Sequence, residues 1–274
     1  MQRRIFVLRA RVLSAITLAP VVLLLVYLGD IPWLIAVLLV GIQAWREMAL
    51  LLQRDHFTVD RTLGLFFVVG AVAEAYVHTT GLLSADLLRP LLAGLILFSL
   101  IWALYNKGSH PTADWGVTVA SALYLGFLLG HFIVLRERSD GLRWVTVALA
   151  LSWITDATAY FVGSTMGRHQ LWPRISPKKT WEGLIGGSAA AIIAAPLLGA
   201  WLLGLNPWLG ILLGVLVAVV DPFGDFAVSL FKRMAQIKDS SQLIPGHGGI
   251  LDRLDSLLSL AKVANSLTDR AILG

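Results

Sequence analysis

Long apolar blocks separated by short polar segments dominate this chain. The blocks run over 12–28, 32–45, 63–77, 87–104, 117–135, 145–163, 184–203 and 208–220. Crossing a bilayer as a helix takes about 20 apolar residues, and hydrocarbon offers no partner for open backbone groups, so helices are the expected spanning form. The pattern predicts an all-α, polytopic transmembrane helical bundle with eight spans. The start, Met1-Gln2-Arg3-Arg4 followed by Arg9, Arg11 and an apolar run, also fits a signal peptide. We read it as a retained first span, because many similar blocks follow.

Composition agrees. Of 274 residues, 57% are hydrophobic and only 14% charged, and the mean hydropathy is +0.76. A soluble domain carries about 25% charged residues, so this chain cannot cover a water-facing globule. The absence of cysteine excludes disulfides, thiolate metal sites and a cysteine nucleophile. The net charge of +5 is not gathered on one polar face, which argues against a nucleic-acid partner. No repeat or low-complexity tract divides the chain, so 1–274 is expected to be one membrane domain. Within it, 1–150 holds N-terminal spans, 151–256 the polar motifs and 257–274 a polar tail.

Lysine and arginine in short loops set orientation. With the N-terminus in the cytoplasm, the segments 46–61, 105–115, 166–181 and everything after about Asp221 lie inside. The opposite side receives 29–31, 78–86, 136–143 and 204–207. Only 136–143, with Arg136, Arg138 and Arg143, opposes the rule. The two polar segments that carry the chemistry then share the cytoplasmic side.

The first of these contains Asp156 within an apolar block, where a carboxylate costs at least a few kcal/mol and points to function, a packing hydrogen bond to a neighbouring helix being the alternative reading. Ser176-Pro177-Lys178-Lys179-Thr180 follows, then Trp181-Glu182-Gly183. Two ammonium groups and two hydroxyls within five residues suit phosphate oxygens. An anchor for anionic headgroups is the alternative reading. The second segment is denser: Gly224-Asp225, Ser229, Lys232-Arg233, Lys238-Asp239, Pro245-Gly246-His247-Gly248-Gly249 and Asp252-Arg253-Leu254-Asp255. Asp252 and Asp255 share a face if helical. With Asp225 they offer oxygen ligands to divalent cations, which take carboxylates together with substrate phosphates. The glycines permit close backbone approach to a ligand, and Lys232, Arg233, Lys238 and Arg253 supply charge for a triphosphate. His247 is a metal ligand, a phosphate donor or a turn residue. No second histidine stands at zinc spacing.

This second segment resembles the motif of phosphatidate cytidylyltransferases (CDP-diacylglycerol synthases). The family pattern places Ser, Lys-Arg, Lys-Asp, Pro-x-His-Gly-Gly and Asp-Arg-x-Asp where Ser229, Lys232-Arg233, Lys238-Asp239, Pro245–Gly249 and Asp252–Asp255 stand here. The first segment is similar too, with Asp156-Ala-Thr-Ala-Tyr160-Phe161 and Ser176–Gly183. The resemblance is strong from about Ser152 to Ser256. It implies transfer of cytidylyl from CTP to phosphatidate with release of pyrophosphate, dependent on Mg²⁺. It also implies a two-cation centre, whose second ion can be monovalent, at Asp225, Asp252 and Asp255. Lys232, Arg233 and Arg253 would act at the reacting phosphates. Asp156, Ser176, Lys178, Lys179, Thr180, Glu182, Ser229, Lys238, Asp239, His247, Gly248 and Gly249 would bind substrate. A homodimer in the cell membrane, with its site facing the cytoplasm, completes the expectation.

Two positions depart from the family. Val228 stands where a glutamate is usual. After Ser256 the family continues into a hydrophobic span, whereas here 257–274 is short and polar, an amphipathic interfacial helix or an altered C-terminus. Competing readings are a CTP-dependent lipid kinase, which would release CDP, a non-catalytic family member, and a transporter with a midplane site.

Overall fold

The computed structural model describes residues 16–82, 85–105, 108, 110–244, 248–254 and 257–273. Within the described residues each of the eight apolar blocks forms a helix: α1 (Ile16–Leu28), α2 (Asp30–Arg54), α3 (Arg61–Thr80), α4 (Ala85–Ala103), α5 (Pro111–Glu137), α6 (Gly141–Met166), α7 (Trp181–Leu203) and α8 (Pro207–Met234). Six of them, α2, α3, α5, α6, α7 and α8, are long and apolar enough to cross a membrane. The chain is therefore an all-α polytopic membrane protein. Its only sheet among the described residues is a hairpin of β1 (Gln170–Trp172) and β2 (Ser176–Thr180), paired antiparallel between α6 and α7. Two further helices follow, α9 (Leu251–Leu254) and α10 (Leu257–Leu273).

Contacts divide the chain into two compact units, 1–137 with 234–252, and 138–233 with 253–274. In the first, α5 packs on α2 and α3. Small residues set the distance: a Cβ on Gly126 would meet Ala71 and the Val68 backbone, and one on Gly64 would enter the Trp45 ring. In the second unit α6 packs on α7, where Gly187 faces Ala159 and the Thr155 carbonyl. Small residues let membrane helices approach closely, and van der Waals contact holds them where both lipid and protein are apolar.

Local chemistry starts and stops these helices. Asp60 caps α3 by accepting from the Leu63 amide at 2.9 Å, and Thr180 caps α7 by accepting from Gly183 at 3.1 Å. Gly81 and Gly204 end α3 and α7 in the left-handed conformation.

The arginines that oppose the loop-charge rule are used within the protein. Arg136 donates to the Val26 carbonyl at 2.6 Å and the Tyr27 carbonyl at 3.2 Å, closing the C-terminal end of α1. Helix C-termini carry unpaired carbonyls and partial negative charge, which favour a cation. Arg143 pairs with Asp140 at 3.1 Å, and Arg138 donates to Asn265 of α10 at 3.4 Å.

The polar tail folds as α10 and lies along α6. Leu260, Ala261, Ala264, Leu267 and Thr268 are buried. Thr268 shares a cavity of about 480 Å³ with Ser139, Trp144, Leu203 and Trp208, at the end where α6 begins and α7 stops. Seventeen helical residues rise about 25 Å, short of the ~30 Å hydrocarbon core.

The tight α6–α7 contact yields a test. Gly187→Val is expected to lower stability by about 1–3 kcal/mol through overpacking. Gly70→Val, which has open space around it, is expected to change stability by less than about 0.5 kcal/mol. Thermal unfolding of both variants in the same detergent distinguishes them. Arg136→Ala strips the α1 terminus of its cation and is expected to cost about 1–2 kcal/mol in that assay.

Candidate active site

In the second unit the two motif segments meet. The helix expected to end near Val220 continues as α8 to Met234, so Asp221, Asp225 and Ser229 fall one turn apart on one face. The hairpin delivers Lys179 to this face, and its ammonium pairs with Asp225 Oδ2. The same ammonium lies 4.6 Å from the centroid of the Phe226 ring, a cation–π arrangement. Ser229 donates to the other Asp225 oxygen at 3.2 Å. Arg233 Nε donates to the Ile175 carbonyl at 2.7 Å, tying the end of α8 to the hairpin. The ring of Trp172 packs at 5.8 Å from that of Phe226.

Residues around the hairpin divide between scaffold and solvent. The Thr180 hydroxyl is engaged as the cap of α7. Glu182 contacts His169 Nδ1 at 2.6 Å and accepts from the His169 amide at 3.3 Å, which locks the hairpin entry to the first turn of α7. Lys178 is exposed and Ser176 half-buried. On α6, Asp156 is exposed and makes no hydrogen bond or ion pair with the described residues, yet lies within the field of Asp225, Lys179 and Arg253. Val228, where the family has glutamate, is fully buried one turn before the buried Lys232.

Asp221 joins this group of polar side chains and was not singled out from the sequence. It is 3% exposed, and its Oδ1 has no hydrogen-bond partner among the described residues. It lies within the field of Asp156, Asp225 and Lys179. Helical spacing from Asp225 is the signal that could have found it, had the apolar block not seemed to stop at Val220.

In the first unit the chain from Lys238 to Asp252 folds around a buried carboxylate from α2. Glu47 is 1% exposed and accepts from five donors, Gln43 Nε2 at 3.1 Å, Ser240 Oγ at 2.7 Å, Ser241 Oγ at 2.8 Å and the amides of Ile250 and Leu251 at 3.1 and 2.9 Å. Asp252, 6% exposed, accepts at Oδ2 from the Ser240 amide, the Ser240 hydroxyl and the Gly249 amide, each at 2.9 Å. Ile244 and Gly248 exchange backbone hydrogen bonds that close the loop. Gly248 has φ +83°, and a Cβ there would meet Asp252; one on Gly249 would meet Glu47 and Ser240. In the fold these glycines make room for the protein's own carboxylates. Lys238, Asp239 and Arg253 are exposed. Pro245, Gly246, His247, Asp255 and Ser256 lie outside the described residues, as do Arg3, Arg4, Arg9 and Arg11.

A second cavity, about 290 Å³, is lined in the first unit by Asp60, Trp102, Asp114 and Trp115. Neither it nor the one beside α10 is lined by a motif residue. The site is therefore located by converging polar groups rather than by concavity.

The chain is similar to known proteins over most of its length. The sequence pattern of the cytidylyltransferase family matches residues 9–269. The phosphatidate cytidylyltransferase of Staphylococcus haemolyticus (strain JCSC1435) is 30% identical over 261 residues, 94% of this chain and 98% of that one. That of Staphylococcus aureus (strain COL) is 32% identical over the same length and coverage. The Staphylococcus epidermidis protein (strain ATCC 12228 / FDA PCI 1200) is 37% identical over 180 residues, 64% of this chain and 68% of that one. By the extent of these matches, the chain belongs to the cytidylyltransferase family.

Proposed function

We propose that the protein transfers the cytidylyl group of CTP to phosphatidate, giving CDP-diacylglycerol and pyrophosphate. The observation that carries this reading is the pairing of Lys179 with Asp225, which joins two motif segments far apart in sequence within one helical unit. An ammonium held by a carboxylate beside an aromatic ring is oriented before substrate arrives, so little reorganisation is left for the reaction.

A phosphatidate phosphate oxygen attacks the α-phosphorus of CTP in line. The new P–O bond forms as the bond from the α-phosphorus to the β-bridging oxygen breaks, and that electron pair leaves with pyrophosphate. The nucleophile is already anionic near neutral pH, so no strong general base is required. The chain's work is positioning and charge neutralisation. Lys178, Lys179, Lys232, Arg233 and Arg253 are the cations we assign to phosphate oxygens. Ser176, Ser229, Lys238, Asp239 and His247 are assigned to substrate contacts, as is the chain at Gly248–Gly249, whose amides donate within the protein to the Ile244 carbonyl and to Asp252.

Mg²⁺ is the proposed cation, at Asp225, Asp252 and Asp255, with a second, monovalent or divalent, ion beside it. Among the described residues no three acidic or histidine side chains form a ready cage. The donor chemistry nevertheless suits it: carboxylate oxygens are what Mg²⁺ takes, alongside substrate phosphates and water. Asp225 already faces a cationic group. When bound, such an ion would neutralise phosphate charge and polarise phosphoryl oxygens. The basic loops support a cytoplasmic site, and a homodimer is proposed from the family resemblance.

The test is labelled CTP with purified protein, phosphatidate and Mg²⁺. Labelled CDP-lipid and pyrophosphate are expected, and chelation with EDTA is expected to abolish both. Lys179→Met and Asp252→Asn should each lower kcat by about 10²–10³-fold. Release of CDP with a newly phosphorylated lipid would establish the kinase instead. Folded protein that forms no product with any lipid phosphate would leave the non-catalytic reading.

A further inference from the structure

We infer that Glu47, on a helix of the first unit and outside every motif segment, is the positioning residue for the Asp252 carboxylate. This role rests on the reading of Asp252 as a reaction-site carboxylate. A fully buried carboxylate is costly unless donors surround it, and four of the five donors to Glu47 come from the segment that leads into Asp252: Ser240, Ser241, Ile250 and Leu251. The fifth, Gln43, lies one turn away on α2. Glu47 thus clasps both strands of the loop that Ile244 and Gly248 close.

Ser240 makes the clasp specific for Asp252. Its hydroxyl oxygen lies 2.7 Å from Glu47 Oε2 and 2.9 Å from Asp252 Oδ2, while its amide donates to the same Asp252 oxygen. A hydroxyl has one proton, so both carboxylates draw on the same donor and their orientations are coupled. Ser240 and Gly249 hold Oδ2 of Asp252 through three hydrogen bonds, each at 2.9 Å. Gly249 is required at this point, because a Cβ would displace either Glu47 or Ser240. A buried scaffold that fixes a reacting carboxylate spares the reaction the cost of ordering it.

The experiment uses the full chain in detergent. Mn²⁺ binding is read by electron paramagnetic resonance without turnover, and Mg²⁺ is titrated in the cytidylyl-transfer assay, for wild type, Glu47→Gln and Ser240→Ala. Glu47→Gln keeps the size of the side chain but offers one acceptor oxygen where two were used. It is expected to weaken Mn²⁺ binding and raise half-saturating Mg²⁺ by about 10–100-fold, with kcat recovering at saturating Mg²⁺. Ser240→Ala removes only the shared hydroxyl and is expected to shift both constants the same way by a smaller factor. Should Glu47→Gln fail to fold, Ser240→Ala decides. Folded variants that bind Mn²⁺ as wild type does, or lose kcat in a way Mg²⁺ does not restore, would overturn the role. A wild type that neither binds metal nor turns over would overturn the reaction reading and this role with it. Turnover by wild type beside unchanged metal affinity in the variants would sink the clasp alone.

Discussion

Charged and polar groups withdrawn from water must be given partners by the chain itself, and the placement of the functional residues follows from how that demand is met. For the backbone it is met by helices, whose amides bond within their own segment. For side chains it requires donors from elsewhere in the sequence. Asp225 takes Lys179 and Ser229. Glu47 takes five donors and Asp252 three, with the Ser240 hydroxyl common to both. Arg136 spends its guanidinium on the end of α1. Glu47 and Asp252 are buried among their donors, whereas Asp225 and Arg136 are held half-buried by theirs.

Asp221 stands apart. Its Oδ1 is buried and unpartnered among the described residues, one turn from Asp225. Buried polar atoms of this kind are rare in native structures and call for a ligand, a proton or water. Its company of Asp156, Asp225 and Lys179 places it in the second unit's cluster of polar groups.

Gly248 and Gly249 have a use in the fold that differs from their reading along the chain. Read along the chain, they offer backbone to a phosphate. In the fold, Gly248 and Gly249 leave space for Asp252 and Glu47. A side chain at either position would collide with a carboxylate before any substrate arrived.

Hydropathy alone determined that the chain is a helical membrane protein, because lipid leaves a long apolar block no other stable form. Spacing alone revealed the motif residues, because phosphate and cation chemistry requires particular side chains at short range. The tail was not legible as a packed helix: only one face of α10 is apolar, and that face becomes meaningful when α6 lies against it. The continuation of α8 beyond Val220 was hidden for a related reason, since the apolar block ends there and Asp221 reads as an exit from the membrane. Glu47 was the least legible of all. Beside Arg46, after an apolar block, it reads as a solvated flank. Four of its five partners lie some two hundred residues away, and a hydrogen bond between such distant residues leaves no local periodicity or composition to read. Only the tertiary structure could bring those groups together, because which donor meets which buried carboxylate is decided by how helices and loops pack.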